Sequence, residues 1–180
     1  LENLERRCTA GFKQEGDVVV LLGDSKLNQQ ADSLAGSEYL NLIHNKVLGK
    51  LSLDLEKEAG VQRLCRRAIA SGLLKSAHDC AEGGLGIALA ESCILGQKGF
   101  QAETLKLQRW DSAIFGETQS RIVVSIAPGR LSDLEQLAKE ESIDILILGK
   151  VEGSRFNIPN LIEVSVEQLT DAWDAGLQNA

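Results

Sequence analysis

Apolar residues recur along this chain in two rhythms, and each change of rhythm marks an element. Asp17–Asp24, DVVVLLGD, is a β-branched and leucine run closed by Gly23 and Asp24, the pattern of a buried strand. The polar stretch SKLNQQADSLAGSEY separates it from a short helix around Tyr39–Asn45. Between Asp54 and Gly72, Val61, Leu64, Cys65, Ala68 and Ile69 fall at three- and four-residue spacing, one buried stripe of a helix. Arg63, Arg66 and Arg67 lie on its wet side, and Gly72 ends it.

LLKSAHD predicts a short strand, and Glu82–Leu95 a helix that is apolar nearly all round. Such a helix is held between a sheet and a further layer. GFQAETL and RIVVSI (Arg121–Ile126) read as strands, and RWDSAIFGETQ as a short helix with a loop. Leu131–Glu141 predicts a helix with Leu131, Leu134, Leu137 and Ala138 inward. IDILILGKV is a strand, FNIPNLIEVSV a hairpin and VEQLTDAWDAG a final helix. Helices and strands are interspersed without strict βαβ alternation, and no repeat or low-complexity linker interrupts them. The fold class is therefore α+β, one domain over residues 1–180 with a mixed β-sheet and packed helices.

A chain of 180 residues buries roughly 70% of its unfolded surface, enough for a real core. Hydrophobic residues make up 43% and charged residues 25%, the balance of a soluble globular protein. The net charge of −7 argues against a nucleic-acid surface. No apolar run approaches the ~20 residues of a membrane span, and LENLERRCTAGF lacks the apolar core of a signal peptide. Cys8, Cys65, Cys80 and Cys93 form no CxxC or Cys/His cluster, so reduced thiols in a cytoplasmic protein are expected. Methionine is absent even at position 1, and the first strand begins almost at once, so a piece of a longer protein is expected.

Candidate chemistry concentrates in KSAHDCAEGGLGIALAES, Lys75–Ser92. A strand, an acid, a glycine pair and a helix in that order aim backbone N–H groups and a positive helix end into one space. Glycine lets a phosphate approach the backbone closely. Asp79 and Glu82 would repel phosphate unless a divalent cation such as Mg²⁺ bridges them, so the functional reading is a nucleotide–metal site. The competing reading has Asp79 or Glu82 capping the helix and Gly83–Gly84 packing it on the sheet. GxGxxG fails because Leu89 stands at its last position, and GxxxxGK[ST] is absent. A lone histidine at a strand end, His78, is expected to be a hydrogen-bonded structural residue. Downstream, FGETQSR (Phe115–Arg121) offers Glu117, Gln119, Ser120 and Arg121 at another strand entrance. LAGSEYL (Leu34–Leu40) is a helix start, and convergence of such turns would build a site.

These three segments in this order resemble the synthetase subunits of the phosphoribosylformylglycinamidine synthase family, bacterial multi-subunit type. The likeness runs from about residue 15 to the end and corresponds to their C-terminal, aminoimidazole-ribonucleotide-synthetase-like domain. It implies an ATP-dependent ligase of purine biosynthesis that turns formylglycinamide ribonucleotide into its amidine. ATP phosphorylates the amide oxygen, and ammonia from a glutaminase subunit displaces the phosphate. A small accessory subunit completes the complex, and a homo-oligomer is left open. The resemblance places Asp79, Gly83, Gly84 and Gly116 at ATP, Glu117 at Mg²⁺ and Gln119 at the nucleotide substrate. It implies no catalytic residue here, since the family's catalytic histidines and most metal-binding acids lie in an N-terminal domain. His78 and His44 receive no role, and the isolated chain is expected not to turn over. Two alternatives stay open: a phosphotransferase of the thiamine-phosphate kinase or hydrogenase-maturation type, and a non-catalytic dimerisation domain.

Overall fold

The structure, a computed structural model, describes residues 7–103 and 107–178. The chain runs β1 (Val18–Leu22), α1 (Glu38–His44), α2 (Leu55–Ala70), β2 (Leu74–Asp79), α3 (Gly84–Gly96), β3 (Phe100–Ala102) and α4 (Trp110–Phe115). It continues with β4 (Ile122–Ile126), α5 (Leu131–Glu141), β5 (Ile145–Val151), the hairpin β6 (Arg155–Ile158) and β7 (Ile162–Ser165), and α6 (Val166–Gln178). The expected strand GFQAETL is only β3, and its Thr104 and Leu105 lie outside the described residues.

One mixed sheet carries the fold, in the order β2-β4-β1-β5-β3-β6-β7. The pairings are antiparallel except β3 with β6. Central β1 explains why VVVLL shows no polar alternation: side chains alternate between two faces, and both faces are covered. Val19 and Leu21 enter a core with Leu85, Leu89 and Cys93 of α3 and Ile114 of α4. Val20 and Leu22 enter the opposite core with Val61, Leu64 and Ala68 of α2 and Leu134 and Ala138 of α5. Helix α3 lies between the sheet and helices α4 and α6, as its all-round apolar surface predicts.

Two of the arginines on the wet side of α2, Arg63 and Arg67, bind the neighbouring helix α5. Arg67 reaches Glu141 at 2.6 Å and Glu140 at 2.8 Å, and Arg63 reaches Glu141 at 3.0 Å. Arg67 foremost, helped by Gln136 at Glu140 and Arg63 at Glu141, holds both carboxyls below their ordinary value of 4.5. A depressed folded pKa contributes stability above the ordinary value that disappears as pH falls through the folded one. Arg67→Gln is therefore expected to lower the urea midpoint slightly at pH 7 and low salt. That gap should be small, because both arginines are about half exposed and screened, and it should shrink as pH falls well below 4.5 and the carboxyls protonate. A gap of equal size at pH 7 and at pH 3 would show that the pairing has no stabilising role.

Candidate functional site

Antiparallel pairing gathers the polar turns at one end of the sheet. Leu22 and Asp79 both pair with Ile122, and Leu22 also pairs with Ile145. The exits of β1 and β2 and the entrances of β4 and β5 therefore share one edge. The Gly23–Gln30 loop, the Asp79–Gly83 turn and the FGETQS turn all meet there.

Glu117 is the knot of this region. Its Oε1 accepts the Glu38 N–H at 2.9 Å and the Gly83 N–H at 2.8 Å, while its own N–H donates to Ser33 O at 2.9 Å. One carboxylate oxygen thus ties the segments LAGSEYL, EGGL and FGE together, at the first residue of α1 and the N-cap of α3. The same join is made apolar by Tyr39, whose ring stacks on Phe115 with centroids 5.2 Å apart and planes 10° from parallel. Ser37 caps α1 by accepting from the Leu40 N–H. Glu117→Ala should leave two backbone donors without their charged partner and lower stability by about 2 kcal/mol. Glu117→Gln keeps an acceptor oxygen and should cost less than half as much. Equal losses for the two variants in chemical denaturation would show that the carboxyl charge and not the acceptor oxygen holds the turns.

This arrangement corrects the capping alternative for α3. The helix starts at Gly84, with Gly83 as N-cap at φ +76°, and no side chain of its own turn caps it. Neither Asp79 nor Glu82 does so; the cap comes from Glu117, 34 residues along the chain. Sequence proximity is a poor guide here because the fold returns the FGE turn to the α3 start. The N–H that Gly83 would offer to a phosphate is donated to a carboxylate of the chain itself.

The glycines serve close packing. A Cβ on Gly84 (φ +70°) would lie 2.4 Å from Gly116 O, and one on Gly116 would lie 2.6 Å from Ser33 Oγ. Gly116 donates its N–H to Ser112 O and accepts from Arg121 Nη2 at 2.6 Å. Arg121 is 4% exposed and also donates to Thr118 O, so its guanidinium holds the turn from inside and does not offer itself to a ligand.

Asp79 and Gln119 have the opposite character. The Asp79 side chain is 75% exposed, and both residues line a cavity of about 280 Å³ beside Cys80 and Ala81. Gln119 also borders a cavity of about 230 Å³ with Asp24, Asn28 and Lys57. A further cavity of about 750 Å³ is lined by the Gly23–Gln30 loop with Lys57, Arg109 and Asp144. Lys57 Nζ pairs with Asp24 Oδ1 at 3.0 Å. Sequence reasoning left both residues out of the site. Asp24, directly after the strand, was findable as a strand-exit acid; Lys57, on the mostly polar first turns of α2, carried no signal.

His78 stands apart from these cavities. Its Nε2 meets Glu91 Oε2 at 2.7 Å and its Nδ1 meets Asp79 O at 2.9 Å, which clips β2 to α3 in the structural role expected of it. His44 closes α1 edge-on to Tyr39. Among the described residues, no group of three or more His, Cys, Asp or Glu is placed to hold a metal ion. The described residues therefore do not by themselves make a complete Mg²⁺ site.

Comparison with known proteins settles the family. Residues 14–158 match the family described as AIR synthase related protein, C-terminal domain. The chain belongs to this family. Similar curated proteins include phosphoribosylformylglycinamidine synthase subunits PurL. The one from Moorella thermoacetica is 39% identical over 178 residues, covering 96% of this chain and 24% of its own length. One from a Synechococcus species is 47% identical over 140 residues, covering 75% and 17%. The chain thus spans about a quarter of the length of the curated relatives it matches. Among solved structures, Thermotoga maritima PurL complexed with FGAR superposes with a TM-score of 0.73 at 20% identity, over 93% of this chain and 30% of that one. The Escherichia coli hydrogenase maturation protein HypE gives 0.57 at 14% identity, over 88% and 51%. At these identities the superpositions establish the AIR-synthase-like fold.

Proposed function

We propose that the chain is the C-terminal domain of a synthetase subunit that makes formylglycinamidine ribonucleotide from formylglycinamide ribonucleotide, ATP and ammonia. The observation that carries this is Glu117 joining LAGSEYL, EGGL and FGE at one edge, because these are the segments on which the resemblance to that synthetase family rests. Solved Thermotoga maritima PurL structures are complexed with ATP and with FGAR, which supports both ligands for this family member. In this reading Asp79 borders ATP, and Gly83, Gly84 and Gly116 let the turns close behind it. Gln119, which reaches several cavities, lies toward the substrate ribonucleotide.

Mg²⁺ bound with ATP would neutralise phosphate charge during transfer. Glu117 would supply one carboxylate through Oε2, since Oε1 is held by two N–H donors. The other acids, and the catalytic residues, would come from polypeptide outside these residues. The domain contributes half of a site, works in the cytoplasm, and receives ammonia from a glutaminase partner alongside a small accessory subunit. A Thermotoga maritima assembly named PurLQS supports the multi-subunit setting, and among the described residues no helix is long and apolar enough to cross a membrane.

The test is ADP release by the full subunit supplied with ATP, ammonium and formylglycinamide ribonucleotide. ADP formation that requires the ribonucleotide is the expected result, with none from the 180-residue chain. Phosphoryl transfer indifferent to the ribonucleotide would replace this reading by the phosphotransferase alternative.

A further inference from the structure

The residues ahead of β1 add a rung to the edge of the sheet. Thr9 bridges in parallel to Ser76 of the edge strand β2, and Ala77 N–H donates to Thr9 O at 3.2 Å. The register decides which way the neighbouring side chains face. Ser76 Oγ lies 2.6 Å from Ser125 Oγ, and Ser125 pairs with Val19, whose side chain enters the core under α3. Thr9 shares that face, so alternation turns Cys8 and Ala10 to the other, towards α2. Burial agrees with this, since Arg7 and Thr9 are exposed while Cys8 and Ala10 are half-buried. A second thiol stands on the α2 side. Cys65 lies on the buried stripe of α2, in the core that Leu74 and Ala77 of β2 also join. Cys80 and Cys93 belong to the opposite core. The sheet thus sorts four cysteines with no spacing motif into two pairs. Burial foremost, and then the neighbouring Cys8 sulfur, push the Cys65 thiol up to about 11, an influence that needs the two sulfurs close together.

We propose that Cys8 and Cys65 form a disulfide when the protein meets a peroxide, a reversible clasp between the residues ahead of β1 and helix α2. This inference does not depend on the ligase reading. Cys8 starts the reaction because it is the more exposed of the pair, and the positive charge of Lys13 opposes the rise that burial imposes on its thiol. Its thiolate attacks one oxygen of hydrogen peroxide and the O–O bond breaks. The product is a sulfenic acid, and the departing hydroxide takes up the thiol proton as water. Cys65, 8% exposed, meets the adjacent sulfenic sulfur sooner than it meets peroxide in solution. The S–S bond forms as the sulfenic hydroxyl leaves with the Cys65 proton as a second water. Both sulfurs are oxidised and the peroxide is reduced to two waters. Because both thiols are raised, few are thiolates at neutral pH, and the pair stays reduced until oxidant arrives. A disulfide holds its Cα atoms about 6 Å apart, so closure fixes the chain around Cys8 against α2.

Peptide mapping of the full subunit tests the proposal. The protein is treated with a small excess of hydrogen peroxide, its remaining thiols are alkylated in denaturant, and it is digested with trypsin. Cleavage after Arg7 and Lys13, and after Arg63 and Arg66, frees CTAGFK and LCR, while Cys80 and Cys93 stay together in the peptide Ser76–Lys98. The expected result is CTAGFK joined to LCR in most of the protein, with the link lost on reduction by dithiothreitol and absent from Cys8→Ser. The oxidised protein should also melt about 5 °C above the reduced one, because a cross-link closing so long a loop constrains the unfolded chain. Cys8→Ser should show no such rise. Cys8 oxidised alone, with Cys65 still alkylated, would overturn the proposal. Cys8 joined to any other cysteine would overturn it as well. Joined peptides without a raised melting temperature would show that the bond does not clasp α2.

Discussion

Asp79→Ala in the full subunit is expected to lower ribonucleotide-dependent ADP release by about 100-fold, with the unfolding midpoint moved by no more than about 2 °C. The two halves of that result have separate physical grounds. Asp79 caps nothing, since α3 is capped from Glu117. Its carboxylate is largely exposed, with the His78 ring nitrogen Nδ1 3.7 Å from Oδ1. An exposed group without a structural partner shifts stability by about 0.5 kcal/mol or less. A charge placed at a cleft where phosphate is transferred acts in the transition state, where positioning and neutralisation supply most of the rate. Steady-state kinetics and thermal unfolding of the one variant decide the matter. Near-normal turnover would remove Asp79 from the site. A midpoint lowered by many degrees would show a structural role that its exposure does not suggest.

Gly84→Ala is expected to be severely damaging for so small a substitution, at about 3 kcal/mol. Two penalties add. A residue with a side chain at φ +70° costs about 1 kcal/mol, and forcing a methyl into a filled contact costs about 2 kcal/mol more. The obstacle is backbone: Gly116 O at 2.4 Å and Phe115 C at 3.0 Å, neither of which can swing aside as a flexible side chain would. Gly153→Ala is the matched control, with φ +57° but nothing within 4 Å, and should cost about 1 kcal/mol. Urea unfolding followed by tryptophan fluorescence compares them. Equal losses would mean that α3 and the FGE turn are not held in close contact.

Sequence patterning was sufficient wherever one element's own side chains decide its form. The apolar stripe of α2, the uniformly apolar α3 and the unbroken run VVVLL each state how many faces will be buried, so helices, strands and a sheet covered on both sides were legible. The motif segments stood out as polar, glycine-bearing turns at strand ends, a pattern that capping and close packing use as well as ligand sites. The roles inside those segments were decided by the tertiary structure. Glu117 reaches α3 only because β4 lies beside β2 in the sheet, an adjacency that no local spacing encodes. The same pairing turned Arg121 inward and freed Asp79 from capping, and the packing of α2 against β1 brought Lys57 to Asp24. Periodicity reports which side of an element faces apolar surroundings. Which acid meets which N–H depends on strand order, and strand order is set by the packing of both cores together.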